Sequence, residues 1–179
     1  IGEVRSVHAD FSIAVPYDVT HRLHDPAQGG GAVLDLGVYP VSFASMVLGT
    51  LNRVITLSTP AFTGVDGQTS ILLGYPSGAQ AVINCTSAAK SPTKAAIVGT
   101  DARIEIGERW YGQTAFELIP RTGEPRRYEA GVPSGLRFEA DEVARCLEDG
   151  LLESPLMPLD ETVSVMETMD EVLTQAASP

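Results

Sequence analysis

An aspartate and a tyrosine four residues apart in an apolar run are the strongest chemical signal in this sequence. Asp35 and Tyr39 belong to residues 29–40, which read GGGAVLDLGVYP. Four residues make about one helical turn, so both side chains project from one face of a helix. A phenol can exchange a proton with a reacting oxygen, and a carboxylate can orient a substrate hydroxyl. The three preceding glycines allow another backbone or a flat ligand to approach closely.

The phenol of Tyr39 is the best candidate for acid–base chemistry, but it needs a cation beside it. A free tyrosine has a pKa of about 10, too high for a base at neutral pH, and a neighbouring positive charge lowers that pKa. No lysine occurs between residues 1 and 89, so the cation must come from a distant part of the chain or from elsewhere. The alternative interpretation is that Tyr39 and Asp35 are ordinary helix-surface residues.

A loop over residues 15–30 and a lone tryptophan supply further candidates. His21, His24 and Asp25 allow a metal interpretation, but loop spacing is unconstrained and no further ligand is suggested, so we expect no metal. Arg22 either binds an oxygen-rich substrate or ties down the loop. Trp110, the only tryptophan, is expected in a loop, where its ring either lines a pocket or covers the edge of a sheet.

The spacing of apolar residues predicts an α+β fold. Helical periodicity predicts helices over residues 32–48, 135–147 and 159–173, with a bend near Tyr39 because Pro40 lacks a backbone donor. Alternation predicts the strands, which cover residues 3–13, 53–62, 66–75, 79–86, 93–99, 103–106 and 115–119. This order predicts a mostly antiparallel, open-faced sheet with helices packed on one face.

Two of the predicted strands are apolar on both sides. Leu72 stands between Ile71 and Leu73, and Val82 stands in a similar apolar run. A sheet covered by helices on one face should be polar on the other, so we expect the second face to be buried against another subunit. Ordinary strand propensity with tolerated exposed residues is the alternative.

Composition narrows the class of protein and its compartment. The 179 residues are 44% hydrophobic and 20% charged, as in one globular domain, and the net charge of −11 argues against nucleic acid and anionic membranes as partners. We recognise neither a signal peptide nor a stretch of roughly 18 apolar residues. Cys85 and Cys146 are expected to be core thiols, so we expect a reducing, cytoplasmic environment.

The run over residues 30–39 resembles the substrate-domain signature of the glucose–fructose oxidoreductase / inositol dehydrogenase / rhizopine-catabolism (Gfo/Idh/MocA) family, and in particular the branch of dimeric dihydrodiol dehydrogenases. Other segments agree with the family pattern, and the likeness extends from about residue 2 to residue 173. They are GVD at 64–66, YPSG at 75–78, VGTDARI at 98–104 and FEADEVARCLEDGLLESPLMPL at 138–159.

This resemblance implies a fold like the C-terminal domain of glyceraldehyde-3-phosphate dehydrogenase. Residues 1–179 would form a substrate-binding and dimerisation domain, and an N-terminal Rossmann domain that binds NAD or NADP would be absent from this chain. The chain starts at Ile1 directly in a strand pattern, as expected of a domain cut from a longer protein. The implied enzyme moves a hydride between nicotinamide and a secondary alcohol or carbonyl of a sugar, polyol or dihydrodiol.

The resemblance also assigns residues. Tyr39 matches the proton donor or acceptor, Asp35 shares its site, and Gly30 and Gly31 are expected near the cofactor. Trp110 falls near a position where a relative lines its substrate pocket with an aromatic ring. The family's catalytic lysine, in a Glu-Lys-Pro motif, belongs to the missing domain, so this chain alone is expected to be inactive.

Two other interpretations stay open. A non-catalytic ligand-binding or dimerisation module would keep the same fold without an upstream cofactor domain. A metal-dependent protein would use His21 and His24.

Overall fold

The structure is a computed structural model that describes residues 1–112, 115–129, 131 and 135–177. It contains eight strands and three helices of ten residues or more, together with short helical turns. The strands are β1 (Val4–Ser12), β2 (Arg53–Pro60), β3 (Asp66–Gly74), β4 (Gln80–Thr86), β5 (Ala95–Gly99), β6 (Ala102–Ile106), β7 (Ala115–Pro120) and β8 (Arg126–Glu129). The helices are α1 (Val38–Leu48), α2 (Leu136–Glu148) and α3 (Leu159–Ala176), and a π turn (Val33–Gly37) leads into α1.

All eight strands form one sheet in the spatial order β2-β3-β4-β1-β5-β6-β7-β8. Among the described strands, six of the seven pairs are antiparallel, and one of these, β3 with β4, is joined by a tight turn in which Gly78 adopts a φ of 83°. The exception is β1 with β4, which is a parallel pair. Parallel pairing needs a long connection, and α1 with the β2–β3 hairpin supplies it. The predicted fold class is therefore confirmed.

The core lies between the helices and one face of the sheet. The segment Val33–Leu48 packs on β1 and β4, and α3 packs on α1 and β2. Val7, Ile83 and Met169 are wholly or almost wholly buried there. Burying an apolar side chain of this size contributes about 1.5–3 kcal/mol, so this half of the sheet holds the helical segment firmly in place.

The opposite face of the sheet carries an exposed apolar row. Ile55 pairs with Leu72, and Leu72 pairs with Val82 across the next strand. These three side chains are exposed, and so is Leu57 on the same face of β2. The expectation that these strands are apolar on both faces is confirmed. Contact with a second subunit stays a prediction.

The part of the chain between β5 and α3 is less thoroughly covered. The four residues of β8 are all exposed, and α2 buries only Cys146 among its residues. Val143 and Leu147 on α2, and Leu152 just after it, are exposed apolar side chains. The sequence prediction missed β8 because its sequence, RRYE, is charged and lacks apolar alternation.

The helical segment Pro26–Leu48 corrects one sequence expectation. By length and composition it could cross a membrane, with a mean hydropathy of 1.5, although no such stretch was expected. Half of its most apolar window is buried inside the fold, and Val33 and Val41 lie in the hydrophobic core. The core helix of a folded domain passes the same test.

Candidate active site

The helical segment that carries Asp35 and Tyr39 is anchored at its start by a distant carboxylate. The backbone N–H of Val33 donates to Oδ2 of Asp66 at 2.6 Å, and the N–H of Ala32 also bonds to this carboxylate. Asp66 thus satisfies two of the free backbone donors at a helix N-terminus. Burial raises the pKa of Asp66, while the backbone donors oppose that shift.

Gly31 is required by the same carboxylate. It adopts a φ of 124°, and a Cβ at this position would lie 2.0 Å from Oδ1 of Asp66. Gly30 is also surrounded, because its Cβ would meet the carbonyl oxygens of Asp25, Arg22 and Leu23 within 3 Å. Of the two uses proposed for the glycine run, close approach by protein atoms is therefore confirmed. Proximity of Gly30 and Gly31 to a cofactor stays a prediction.

The predicted irregularity of the helix lies one turn before Pro40. The N–H of Val38 donates to the carbonyl of Val33, five residues back, which defines a π turn. Pro40 cannot donate to Leu36, the acceptor four residues earlier, and the wider turn precedes this missing bond directly. The structure thus places the irregularity at Val33–Gly37, whereas the sequence predicted a bend near Tyr39.

The π turn also packs closely on the sheet. A Cβ on Gly37 would lie 3.2 Å from Sγ of Cys85 on β4. Burial raises the pKa of the Cys85 thiol to about 12, and the residue is fully buried. A thiol in this environment stays protonated, so Cys85 is a packing residue and not a nucleophile.

Asp35 is held by a guanidinium from the preceding loop. Nη1 of Arg22 lies 2.6 Å from Oδ1 of Asp35, and the two side chains are 62% and 25% exposed. Exposed ion pairs contribute only about 0–1 kcal/mol, so this pair costs little to rearrange. The structure thus brings together two residues that the sequence analysis selected separately, with the Arg22 side of the pair exposed to solvent.

Tyr39 lies in an aromatic cluster at the surface. Its ring centre is 5.1 Å from that of Phe11 in an edge-to-face arrangement, and 5.4 Å from that of Tyr111. Phe11 stacks in turn on Tyr111 at 4.5 Å. Such contacts fix ring orientation and contribute roughly 0.5–1.5 kcal/mol each. Tyr39 remains 44% exposed, so its phenol is not enclosed in hydrocarbon.

Trp110 lies on the core side of this aromatic cluster. It is only 8% exposed, packs on Phe43 at 5.0 Å, and donates its indole N–H to the carbonyl of Asp10 at 2.9 Å. Its assignment to substrate binding stays a prediction, and Tyr111 is the exposed ring of this segment beside Tyr39. The sequence analysis missed Tyr111, because the sequence does not show which of these two adjacent rings is buried.

The histidine-rich loop is organised by local hydrogen bonds. Nδ1 of His21 accepts from the N–H of Leu23, and the carboxylate of Asp25 accepts from the N–H of Ala27. His24 is buried, with its ring centre 6.0 Å from that of His21. Within residues 1–112, 115–129, 131 and 135–177, no group of three or more His, Cys, Asp or Glu side chains is arranged to hold a metal ion.

These contacts define what the surface can do chemically. A phenol and a carboxylate lie at the start of one helical segment, the guanidinium of Arg22 contacts the carboxylate from the preceding loop, and the exposed ring of Tyr111 lies beside the phenol. Asp35 and Tyr39 are four residues apart across the junction of the π turn and α1, about one helical turn. A ligand with neighbouring oxygen atoms could bind here to the carboxylate of Asp35 as an acceptor and to the guanidinium of Arg22 as a donor. The phenol of Tyr39 is the group that could transfer a proton.

Comparison with known proteins identifies the family. Residues 1–105 match the family model of the GFO/IDH/MocA C-terminal domain. Trans-1,2-dihydrobenzene-1,2-diol dehydrogenase of Xenopus tropicalis is 36% identical over 186 residues, which cover 98% of this chain and 55% of that protein. D-xylose 1-dehydrogenase (NADP(+)) of Hypocrea jecorina is 32% identical over 207 residues, which cover 98% and 53%.

Solved structures share the fold. An aldose-aldose oxidoreductase from Caulobacter crescentus superposes with a TM-score of 0.84 at 22% identity, covering 98% of this chain and 54% of that one. A 3-ketoreductase from Actinomadura kijaniata, in complex with NADP and TDP-benzene, gives a TM-score of 0.79 at 21% identity, covering 98% and 55%.

The chain belongs to the GFO/IDH/MocA family, as a C-terminal domain of that family. It spans about half the length of the curated relatives that it matches. The resemblance inferred from residues 30–39 and the later motifs is thereby confirmed.

Proposed function

We propose that this chain is the substrate-side domain of an oxidoreductase that uses NAD or NADP to interconvert a secondary alcohol and a carbonyl. The observation that carries this proposal is the exposed phenol of Tyr39, one turn from Asp35, whose carboxylate is paired with Arg22. Two relatives are named for a dihydrobenzene diol and for D-xylose. Both compounds carry adjacent hydroxyls, so we propose a sugar, polyol or diol as the substrate.

In this proposal Tyr39 moves the proton. As a hydride leaves the carbinol carbon, the hydroxyl proton passes to the phenolate oxygen of Tyr39, and a carbonyl remains. In the reverse direction the phenol donates that proton to the carbonyl oxygen. A bound nicotinamide supplies or accepts the hydride. Proton transfer by a positioned side chain accelerates such reactions about 100- to 10,000-fold.

Asp35 and Arg22 orient the substrate. The carboxylate accepts a hydrogen bond from a neighbouring hydroxyl, and the guanidinium donates to an adjacent oxygen. Their ion pair is mostly exposed on the Arg22 side, so a substrate can share it without a large penalty. Holding the oxygen beside Tyr39 in this way supplies the geometry that proton transfer requires.

The cofactor would contact this chain at its nicotinamide end. Tyr39 and Tyr111 are 44% and 40% exposed and present aromatic rings to one side, which suits a flat heteroaromatic ring. The sequence contains no Gly-x-Gly-x-x-Gly motif, so we assign the phosphates to a nucleotide-binding domain elsewhere in the polypeptide. That domain would also provide the lysine expected beside Tyr39.

A second domain would explain the exposed apolar surface of α2. Val143, Leu147 and Leu152 are 60%, 73% and 102% exposed, and exposed apolar clusters of this kind mark interaction surfaces. The relatives are nearly twice as long as the matched region. We propose that part of the additional length packs on α2.

The function is tested by assaying the full-length polypeptide. With NAD or NADP and a panel containing D-xylose, myo-inositol and a trans-dihydrodiol, we expect cofactor reduction with at least one substrate. If Asp35→Asn lowers turnover by raising KM, this result would support the role of Asp35 in orienting the substrate. If cofactor binds to no part of the polypeptide, the oxidoreductase proposal fails and the non-catalytic module is favoured.

We further propose that two copies associate through the open sheet face. Ile55, Leu72 and Val82 form a continuous row across β2, β3 and β4, and Leu57 is 76% exposed beside it. An exposed apolar patch on a sheet is a self-complementary surface for a two-fold dimer.

The dimer proposal predicts the effect of one charge. Leu57→Arg in the full-length protein should place two like charges in the interface and convert dimer to monomer, as measured by light scattering after size exclusion. Val163→Arg is the matched control, because Val163 on α3 is also an exposed apolar residue. A dimer that survives Leu57→Arg but dissociates in Val163→Arg would place the interface elsewhere.

A further inference from the structure

Two residues near the aromatic cluster adopt a backbone conformation that residues other than glycine rarely take. Thr93 has a φ of 51° and Arg109 has a φ of 60°, and they are the two non-glycine residues with a positive φ in the part of the chain that the structure describes. Thr93 is β-branched, which makes this conformation especially unfavourable. Such residues persist only where surrounding contacts hold them, and they concentrate at functional sites. The contacts that hold these two residues are therefore candidates for a functional role.

Asp10, near the end of β1, holds Thr93 in this conformation. Oδ2 of Asp10 accepts a hydrogen bond from the backbone N–H of Thr93 at 2.9 Å, and Oδ1 accepts one from the N–H of Lys94 at 3.0 Å. The hydroxyl of Ser91, which donates to Oδ2 of Asp10, is a second acceptor for the N–H of Thr93 at 3.2 Å. Thr93 is buried, so its N–H needs an acceptor within the protein. Both of these acceptors depend on the carboxylate of Asp10.

The left-handed turn at Thr93 is connected by hydrogen bonds to the segment that carries Tyr111. The carbonyl of Thr93 accepts from the N–H of Arg109 at 2.9 Å. Arg109, with its own positive φ, leads directly into the short helical turn that begins at Trp110. The indole N–H of Trp110 donates to the carbonyl of Asp10 at 2.9 Å. Asp10 therefore fixes this turn at two points, through its carboxylate by way of Thr93 and through its own carbonyl.

The rings beside these anchored residues contact the ring of Tyr39. Phe11 follows Asp10 in β1, and Tyr111 follows Trp110. The ring centre of Tyr39 lies 5.1 Å from that of Phe11 and 5.4 Å from that of Tyr111, and the latter two rings stack on each other. Successive side chains of a strand point to opposite faces, so the carboxylate of Asp10 lies on the sheet face opposite to Phe11. Asp10 can therefore affect Tyr39 through the backbone and these rings, without contact with a substrate.

We propose that Asp10 is a positioning residue for the proton transfer by Tyr39, an inference that rests on the proposed function. The carboxylate of Asp10 keeps Thr93 in its left-handed conformation, and the carbonyl of Thr93 then places Arg109. The turn that follows holds Tyr111 against the ring of Tyr39. Proton transfer requires the phenol to lie within hydrogen-bond reach of the reacting oxygen, so a shift of this ring support lowers the rate although the phenol itself is still present.

The positioning role is tested first by a measurement that needs no turnover. In the full-length protein labelled with 3-fluorotyrosine, Asp10→Ala should shift the ¹⁹F signals of Tyr39 and Tyr111 and leave the signal of Tyr128 on β8 in place. Single Tyr→Phe variants assign these signals. Asp101→Ala is the matched control, because it removes an exposed carboxylate between β5 and β6 and should shift none of the three signals. Unmoved signals of Tyr39 and Tyr111 in Asp10→Ala would overturn the proposal.

Steady-state kinetics of the full-length protein then separate positioning from a purely structural role. Asp10→Ala should lower kcat about ten-fold or more, as expected when a proton-transfer group is misplaced, and leave the substrate KM and the cofactor Kd nearly unchanged. Asp10→Asn keeps one acceptor oxygen and should recover part of kcat.

Circular dichroism checks that the Asp10 variants fold, and Asp10→Asn is judged by both measurements if Asp10→Ala does not fold. A folded Asp10→Ala protein with normal kcat and only a lower unfolding temperature would show that the carboxylate serves the fold alone, and would overturn the proposal. Failure of the proposed function is a distinct result: the unaltered protein would then bind no cofactor, while the fluorine signals would still report whether Asp10 places the ring of Tyr39.

Discussion

Two carboxylates flank the start of the same helical segment and differ in what they face. Asp66 reaches the segment from β3, faces backbone N–H groups and is partly buried. Asp35 lies within the π turn, faces the mostly exposed guanidinium of Arg22 and keeps a quarter of its side chain exposed. Asp66 has a structural role, because its oxygens accept hydrogen bonds from backbone N–H groups that have no partner within the helix. Asp35 makes only an ion pair with Arg22 and can still bind a substrate.

Around the start of this helical segment, the residues that hold the fold and the residues proposed to act on a substrate lie on different sides. On the Asp66 side, Gly31 packs against the carboxylate and the N–H of Ala32 bonds to it. On the Asp35 side, Tyr39 and Tyr111 are exposed. Changes on the first side should therefore alter the free energy of unfolding, and changes on the second should alter turnover while leaving stability nearly unchanged.

Gly31→Ala should give the largest loss of stability. The φ of 124° is unfavourable for alanine, and the added Cβ would collide with Asp66 and displace the cap. Strained backbone costs about 1–3 kcal/mol and loss of a cap about 0.5–2 kcal/mol, so we expect a total of about 3 kcal/mol in urea unfolding of the 179-residue chain. Gly29→Ala is the control, since a Cβ there meets nothing within 4 Å. Equal losses in the two variants would contradict the role of Asp66.

Replacement of Asp66 itself should have the next largest effect. Asp66→Ala removes both acceptor oxygens and should cost about 1–2 kcal/mol, whereas Asp66→Asn keeps one acceptor and should cost less. The two variants are compared by urea unfolding at one pH. If Asp66→Asn is as destabilised as Asp66→Ala, the hydrogen bond to Val33 is not what the carboxylate contributes.

The pH dependence of Asp66 has a defined sign. Its pKa is raised in the folded state, mainly by burial, so the folded state holds this proton more tightly than the unfolded state. The stabilisation linked to that proton is complete below the ordinary pKa of an aspartate and is lost as the pH rises through the raised value. The stability of the unaltered chain, relative to Asp66→Asn, should therefore fall as the pH rises over this range. A relative stability that increases with pH would contradict a raised pKa.

Arg22→Gln should have the smallest effect on stability. The ion pair with Asp35 is exposed on the guanidinium side, so we expect less than about 1 kcal/mol in unfolding. In the full-length enzyme the same change should raise KM about five-fold, the value of one hydrogen bond of roughly 1 kcal/mol, and leave kcat nearly unchanged. A large loss of stability with an unchanged KM would assign Arg22 to the loop alone.

The comparison also shows which features the sequence could predict. The alternation in β1, β3 and β4 and the helical spacing in α3 each depend on local periodicity, and the structure has these elements within three residues of the predicted bounds. The selection of Arg22, Asp35 and Tyr39 depended on residue type and on family motifs. These are properties that a single sequence displays directly.

Contacts between distant segments could not be predicted. Asp66 caps a helix that begins 33 residues earlier, and no local pattern indicates this. Burial decided between Trp110 and Tyr111 and left His24 without a partner, and burial depends on how loops close over the sheet. At the π turn the sequence analysis considered only Pro40, and the bond from Val33 to Asp66 and the close packing of Gly37 on Cys85 appear only in the structure.

The most direct test of the central claim is the turnover of Tyr39→Phe in the full-length enzyme. This change keeps the aromatic contacts with Phe11 and Tyr111 but removes the oxygen that exchanges the proton. We expect kcat to fall about 100- to 10,000-fold with the Kd for the cofactor unchanged, whereas Tyr128→Phe, at a similarly exposed position on β8, should retain normal kcat. A Tyr39→Phe enzyme that turns over at the normal rate would contradict the assignment of proton transfer to Tyr39.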